Sequence, residues 1–241
     1  MAFVTVFKRY ELKYMLTTAQ KESILQAMAD HMAPDAYGRT TIRNVYFDTD
    51  NYRLIRRSIE KPAYKEKLRV RSYTQVADED TVFVELKKKY EKVVYKRRIA
   101  LASQDAMAWV CRESACPVDT QISREIDYFI DVYGKLKPTM FLSYEREAYY
   151  DTGGGDFRVT FDEHILCRQT DISLSSDVYG TPILPDGKVL MEIKCSGGIP
   201  LWMVRVLSRE RIYKTSFSKY GTAYTALVFP GIYLPNKREG D

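Results

Sequence analysis

Residues 65–71 read KEKLRVR, and this stretch indicates the fold more clearly than any other. Side chains of a β-strand point alternately to its two faces, so the stretch has two very different sides. One side carries Glu66 near the start and then the apolar residues Leu68 and Val70. The other side carries only cations, which are Lys65, Lys67, Arg69 and Arg71. A strand with one apolar face fits a sheet that covers a core on one side.

Several other segments alternate in the same way, with apolar residues on the opposite face. Their charged faces carry Arg9, Glu11 and Lys13; Glu85 and Lys87; Arg158, Thr160 and Asp162; and Glu192 and Lys194. For a single strand, such a face is commonly the solvated side of an antiparallel sheet. Several strands together also fit a closed barrel with these charges inside, where like charges need counter-charges, water or a polyanion. Phosphates suit such a lumen because Arg and Lys bind them well.

The pattern of elements favours an α+β protein. Strands are predicted at 4–14, 41–49, 63–73, 81–88, 92–100, 139–150, 157–165 and 189–195. Helices are predicted at 17–32, with Thr17 as N-cap, and at 103–112, 122–133, 201–208 and 219–227. Most strands follow one another without a helix between them, so we expect an antiparallel barrel with helices packed outside. No repeat or linker divides residues 1–241, which predicts a single domain.

Composition narrows the class of protein. The chain has 241 residues, 45% of them hydrophobic, and a formal charge of +5, which requires neither a nucleic-acid nor a membrane partner. No run is long and apolar enough for a membrane span or a secretory signal, which predicts a cytoplasmic protein. The four cysteines form no CxxC pair, so structural zinc and a disulfide scaffold are not expected.

Short motifs spread over nearly the whole chain resemble one family. They are YELKY at 10–14, KLRVR at 67–71, ELK at 85–87, YER at 144–146, FRV at 157–159, MEIK at 191–194 and SFSKY at 216–220. Their order resembles the VTC domain, the polyphosphate polymerase module of the vacuolar transporter chaperone type. That domain is a member of the triphosphate tunnel metalloenzyme (CYTH-like) superfamily. Two positions depart from the pattern, because Ser216 replaces a second lysine and Arg9 replaces the first glutamate of an ExExK motif.

The resemblance implies a function and a set of site residues. It implies an antiparallel tunnel that transfers the terminal phosphoryl group of ATP, or another nucleoside triphosphate, to growing polyphosphate. Catalytic phosphate contacts would come from Arg69, Arg71, Lys87, Arg146 and Arg158, and substrate-binding contacts from Lys13, Lys67, Lys96, Lys194 and Lys219. A divalent metal, Mn²⁺ or Mg²⁺, would bind at Glu192 and Glu11. The alternative for these acidic residues is simple neutralisation of neighbouring cations.

Two other functions remain open from the sequence. A triphosphate hydrolase of the same superfamily would use the same cations, and it would release orthophosphate instead of long chains. A non-catalytic polyanion-binding protein would use the basic strand alone. Nucleic acid is not the expected ligand, because the sequence lacks clustered aromatic and basic RNA-binding motifs.

Overall fold

The computed structural model describes residues 10–91 and 93–229. The strands in this part are β1 (Tyr10–Thr17), β2 (Met32–Pro34), β3 (Thr40–Asp48), β4 (Tyr64–Ser72), β5 (Thr81–Tyr90), β6 (Val93–Ala102), β7 (Lys137–Asp151), β8 (Arg158–Arg168), β9 (Thr181–Pro182), β10 (Lys188–Cys195) and β11 (Lys214–Thr215). The helices are α1 (Thr18–Met28), α2 (Arg53–Ile59), α3 (Ser103–Val110), α4 (Gln121–Tyr133), α5 (Leu201–Arg209) and α6 (Lys219–Leu227). None of the helices in these residues combines the length and the apolar character that a membrane crossing requires.

All the strands belong to one antiparallel sheet. Its order is β11-β1-β10-β8-β7-β3-β4-β5-β6, with β2 added beside β7 and β9 beside β8. The predicted α+β class is confirmed. The order brings the first long strand beside the last one, because β1 pairs with β10 over its whole length.

The sheet curls strongly. Six strand spacings separate β1 from β5, and a flat sheet would place them roughly 29 Å apart. Instead, Lys87 Nζ on β5 lies 2.7 Å from Glu11 Oε2 on β1. The concave face, which we call the inner face, therefore encloses a tunnel-like space. Within residues 10–91 and 93–229, β6 has no backbone pairing with β1 or β11, so the expected barrel is not closed by hydrogen bonds.

The outer face carries the apolar residues, as expected. On one half, Leu68 and Val70 pack with Trp109 of α3 and with Ile126 and Phe129 of α4. The other half buries side chains from β1, β8 and β10 against α1 and α5, among them Leu16, Ile24, Val159, Met191, Ile193, Met203 and Val206. Burial on the outer face leaves the charged residues of the same strands on the inner face.

Helices α2 and α6 fill part of the inner face. Ile55 of α2 and Tyr220 of α6 belong to an apolar cluster with inner-face residues of β3 and β7. Tyr220 stacks on Tyr46 with ring centroids 4.5 Å apart, and its hydroxyl donates to Asp48 at 3.0 Å. The charged inner-face residues lie beyond this apolar cluster.

The largest differences from the predicted elements lie around α1 and α2. Thr17 is the N-cap of α1, as predicted, and forms a capping box with Gln20. The helix ends at Met28, earlier than predicted, because Met32 pairs with Asp151 in β2. Helix α2 was not predicted; its first turn depends on a distant carboxylate, Asp48, which accepts from the N–H groups of Leu54 and Ile55. Residues 4–9 of the first predicted strand lie outside the described residues.

Candidate functional site

The first cluster of the inner face surrounds Glu85, which is only 1% exposed. Arg69 approaches one oxygen of this carboxylate at 2.7 Å, and Lys96 approaches the other at 2.7 Å. Arg98 also donates to Glu85, through Nε at 2.7 Å. Strand register explains the arrangement, because Arg69, Glu85 and Arg98 lie directly opposite one another on β4, β5 and β6. We call these residues, with Arg71, the Glu85 cluster.

Arg71 is the most buried cation of the Glu85 cluster. Its Nε donates to Asn44 Oδ1 at 2.9 Å, and its Nη2 donates to the Tyr144 hydroxyl at 3.0 Å. Its Nε also lies 3.8 Å from Glu85. The planar guanidinium is therefore fixed in orientation by neutral partners on β3 and β7.

The second cluster contains two carboxylates, Asp162 on β8 and Glu192 on β10. Arg146 binds Asp162 with two parallel hydrogen bonds of 2.6 and 2.7 Å. Lys219, the first residue of α6, donates to Asp162 and lies 3.4 Å from Glu192. Lys13 and Lys194 approach Glu192 at 3.3 and 3.5 Å. We call these residues the Asp162–Glu192 cluster.

The distances distinguish Glu192 from the other inner-face carboxylates. Its cationic contacts are 3.3 to 3.5 Å long, beyond the usual length of a charge-assisted hydrogen bond. Glu85 and Glu11 hold their lysine partners at 2.7 Å. A hard divalent cation prefers carboxylate oxygens, and Glu192 is the inner-face carboxylate with the longest cationic contacts. Four cations surround it, however, and the described residues contain no group of three or more His, Cys, Asp or Glu side chains placed to hold a metal. Glu85 fits the role of an internal counter-ion.

Further inner-face lysines bind neutral oxygens of neighbouring elements. Lys67 donates to the Ser218 hydroxyl at 2.8 Å, and Lys65 donates to the Ser58 carbonyl at 3.2 Å. Lys13 donates to the carbonyl of Phe217 at 2.7 Å. These contacts leave the lysine charges without a full counter-charge. Cations consequently outnumber carboxylates on the inner face.

Burial, with the repulsion among neighbouring cations, lowers the pKa values of the inner-face lysines. Burial, with repulsion from Lys13 and Lys87, holds the pKa of Lys67 well below its ordinary value. Burial also lowers the pKa of Lys96 to about 7, although Glu85 opposes the shift. The pKa values of Lys13, Lys65 and Lys194 are lowered as well, first by burial. Such a surface is electrostatically unsatisfied until an anion binds.

The acidic residues show the complementary effect. Burial would raise the pKa of Glu192, but Lys219 and Lys13 outweigh it and hold the pKa well below its usual value. In Glu11, Lys87 and Lys194 outweigh the effect of burial and lower the pKa to about 2. Both groups therefore stay ionised at neutral pH.

Most of the residues assigned by resemblance lie together on the inner face. Contacts within the two clusters or across the curl join Lys13, Lys67, Arg69, Arg71, Lys87, Lys96, Arg146, Lys194, Lys219, Glu11 and Glu192. Arg158 is different. It shares their face and lies opposite Lys194, but it is exposed at the start of β8 and belongs to neither cluster.

Several residues of the site were not assigned from the sequence. They are Asn44, Glu85, Arg98, Tyr144, Asp162 and Ser218. The alternation pattern had placed Glu85 and Asp162 on the charged face, and this was the available signal. Asn44 and Tyr144 gave no such signal, because their roles depend on which strands pair.

The pKa of Lys96 predicts a pH-dependent affinity for anions. A bound polyanion favours the protonated amine, so binding above about pH 7 takes up a proton and weakens as pH rises, by up to about tenfold per pH unit. Titration calorimetry with tripolyphosphate at several pH values would measure this slope. Lys96→Arg should have a shallower slope, and the ligand's own ionisation is common to both proteins. Equal slopes would contradict the prediction.

Comparison with solved structures shows the tunnel fold. A putative adenylate cyclase from Bacillus halodurans is 16% identical with a TM-score of 0.54, covering 89% of this chain and 96% of that chain. HpAC1 from Hippeastrum, a putative adenylyl cyclase described as having a dominant triphosphatase activity, is 15% identical with a TM-score of 0.53, covering 91% and 96%. No curated protein matches significantly in sequence. Both structural neighbours have the triphosphate tunnel fold.

The family is shown by a separate comparison of the sequence. The family description of the VTC domain matches residues 8–228, which include both clusters and nearly the whole sheet. The motifs at 67–71, 144–146 and 191–194 supply residues of these clusters. The chain therefore belongs to the VTC domain family.

Proposed function

We propose that this chain is a metal-dependent polyphosphate polymerase that transfers the terminal phosphoryl group of ATP, or another nucleoside triphosphate, to growing polyphosphate. The excess of buried cations on the inner face carries the proposal. The protonated forms of lysines with lowered pKa values are stabilised by a ligand that carries several negative charges along its length. Polyphosphate and a nucleotide triphosphate both have that character. We also propose that residues 1–241 form one domain.

Phosphoryl transfer requires alignment of donor and acceptor and stabilisation of the charge on the transferred group. Arg69 and Arg71 lie two residues apart on β4, about 7 Å along the strand, so their guanidinium groups can engage different phosphates of one chain. Arg146 and Lys219 present further cations from the opposite wall. Each such donor acts in a space largely protected from water, where its effect on the barrier is large.

The proposed metal ligands are Glu192 and Glu11. These residues lie diagonally across the β1–β10 pair, because Lys13 is opposite Glu192 and Glu11 is opposite Lys194. A bound Mn²⁺ or Mg²⁺ would neutralise charge on phosphate oxygens. The role of Lys13, Lys194 and Lys219 would then be to hold Glu192 in place and to bind phosphate themselves.

The inner-face carboxylates are poor general bases for the activation of water, whereas Lys96, with a pKa of about 7, is an inner-face group that meets the pKa requirement for this role. Activation of water by a side chain needs a general base whose pKa lies near the working pH. Burial would raise the pKa values of Glu85 and Asp162, but neighbouring arginines lower them, and the pKa of Glu11 is about 2. The terminal oxygen of polyphosphate is already anionic and needs no base. The second candidate is a triphosphate hydrolase, which the described activity of HpAC1 favours.

Product analysis separates these functions. The protein would be incubated with ATP and Mn²⁺, and the products would be examined on gels for polyphosphate and by a colour assay for orthophosphate. Long chains that appear together with ADP support the polymerase. Orthophosphate without chains would support the hydrolase, and unchanged ATP would support a non-catalytic polyanion-binding protein.

Glu192→Gln should remove the divalent-dependent part of turnover. The amide keeps the shape but is a much weaker metal ligand, so we expect a fall of about 10²-fold in kcat at saturating Mn²⁺. Binding of tripolyphosphate without metal should persist and should not weaken, because the change removes a negative charge from among four cations. The matched control is Glu125→Gln, which alters an ion pair with Arg97 on the outer surface. An unchanged Mn²⁺ titration in the Glu192 variant would rule out this metal assignment.

A further inference from the structure

A surface cavity opens where the β7–β8 hairpin meets the inner face. Its volume is about 530 Å³, within the range of sites for small ligands. Inner-face residues Tyr150 and Arg158 line it, together with the hairpin residues Asp151, Thr152, Gly154, Gly155 and Asp156. The hairpin wall is ordered by Asp151, whose carboxylate accepts from the N–H group of Gly155 at 2.8 Å. A preformed wall of this kind suits a ligand that is bound in one orientation.

Strand register connects this cavity to the Asp162–Glu192 cluster. Tyr150 lies opposite Arg158, and Arg158 lies opposite Lys194, so one row of residues crosses β7, β8 and β10 at the cavity. The next row along the strands, farther from the cavity, is the middle row and contains Ala148, Thr160 and Glu192. The row after that contains Arg146 and Asp162. The cavity is therefore the outer end of a path that leads along the inner face to the cationic cluster.

The row at the cavity differs from the next two rows in having side chains without partners among the described residues. Tyr150 is 45% exposed, and Arg158 is exposed beside it. In residues 10–91 and 93–229, neither side chain makes a hydrogen bond, an ion pair or a ring contact. Tyr73, another inner-face aromatic residue at the end of a strand, is already bound to Arg98 through its hydroxyl at 2.7 Å. Among the described residues, Tyr150 and Arg158 are thus an aromatic ring and a cation without partners, as a ligand site requires.

The middle row leaves room between the cavity and the cluster. Ala148 has a small side chain, and the buried hydroxyl of Thr160 beside it has no hydrogen-bond partner among the described residues. A buried hydroxyl without a partner costs free energy, and a ligand oxygen at that position would relieve the cost. The middle row therefore also has the character of a binding surface.

We propose that this cavity is the nucleoside subsite of the tunnel, in which the base of a nucleoside triphosphate stacks on Tyr150 while Arg158 binds the adjoining phosphate. The inference rests on the proposed nucleotide-dependent function. Asp162 lies four positions after Arg158, which is about 13 Å along a strand. That length allows the terminal phosphate to reach Arg146 and Lys219 while the base remains at the cavity. Aromatic stacking is available to every base, so the subsite favours nucleotides over inorganic phosphates without strong selection among bases.

The test compares the affinity for ATP with the affinity for tripolyphosphate, which has the phosphates but no base. Tyr150→Ala should weaken ATP binding roughly tenfold, as expected for loss of one stacking contact, and leave tripolyphosphate binding unchanged. Tyr150→Trp should keep or improve ATP binding because it preserves the ring. Titration calorimetry under conditions without turnover measures the affinity for each of the two ligands. The matched control is Tyr128→Ala, an exposed tyrosine on α4.

The outcomes separate this inference from the proposed function. Equal affinity changes for both ligands in Tyr150→Ala, or no change for ATP, would overturn the subsite. Loss of ATP affinity alone, with recovery in Tyr150→Trp, would support it. Neither result depends on which product the wild-type protein forms, because binding is measured without turnover. Absence of polyphosphate among the products would count against the polymerase and leave the binding result intact.

Discussion

Arg71→Lys is expected to lower turnover by about 10²-fold or more while changing polyanion affinity only modestly. Lysine keeps the positive charge but loses the planar group that donates to Asn44 and Tyr144 at once. An arginine that is fixed in orientation contributes to alignment in the transition state, so its loss should reduce kcat more than it raises KM. Initial rates of nucleotide consumption at saturating metal would measure the effect.

Two companion variants make this prediction specific. Arg69→Lys should also lower turnover strongly, because Arg69 binds Glu85 and the Tyr46 hydroxyl through separate guanidinium nitrogens. Lys65→Arg should have a small effect, since Lys65 lies near the end of β4 and donates to the Ser58 carbonyl. Equal and small effects at all three positions would instead indicate a basic surface that only attracts polyanions.

Glu85→Gln is expected to lower the free energy of unfolding by about 3 kcal/mol or more. The change leaves Arg69, Arg71, Lys96 and Arg98 around a neutral amide, and removal of one partner from a buried ion cluster is strongly destabilising. Urea unfolding in a buffer without polyvalent anions would measure the loss. Glu125→Gln, which removes an ion pair on the outer surface, should cost less than about 1 kcal/mol.

Tripolyphosphate should partly restore the stability of Glu85→Gln. An anion that binds among these cations replaces the missing charge, so the increase in Tm on adding tripolyphosphate should be larger for the variant than for the wild type. A variant as stable as the wild type without anions would show that Glu85 does not offset the repulsion among its neighbours.

The alternation of residues predicted which side chains share a face, because the period of a strand is fixed by backbone geometry. Leu68 and Val70 lie outward beneath α3 and α4, as KLRVR indicated. The curl of the sheet was not predictable in this way. Lys87 and Glu11 are 76 residues apart, and their contact depends on the summed twist of all the strands between them.

Which side chains contact one another within the site depends on strand register, and register could not be predicted from the sequence. Glu85 had been placed on the charged face, but the set of cations around it follows from the pairing of β4, β5 and β6. Asp162 became the counter-ion of Arg146 because β7 and β8 pair at that point. Arg158 had been placed on the correct face, but the strand begins there, so its side chain is exposed.

The position of Lys219 has a consequence for the protein during its synthesis. Lys13 of β1 donates to the carbonyl of Phe217, a contact between residues 204 positions apart, and the next helix supplies Lys219 to Asp162. A nascent chain that has not yet extended past this helix lacks one wall of the site, however much of the sheet has formed. Under the proposed function, a nascent chain in which α6 has not yet docked should therefore be unable to consume nucleotide.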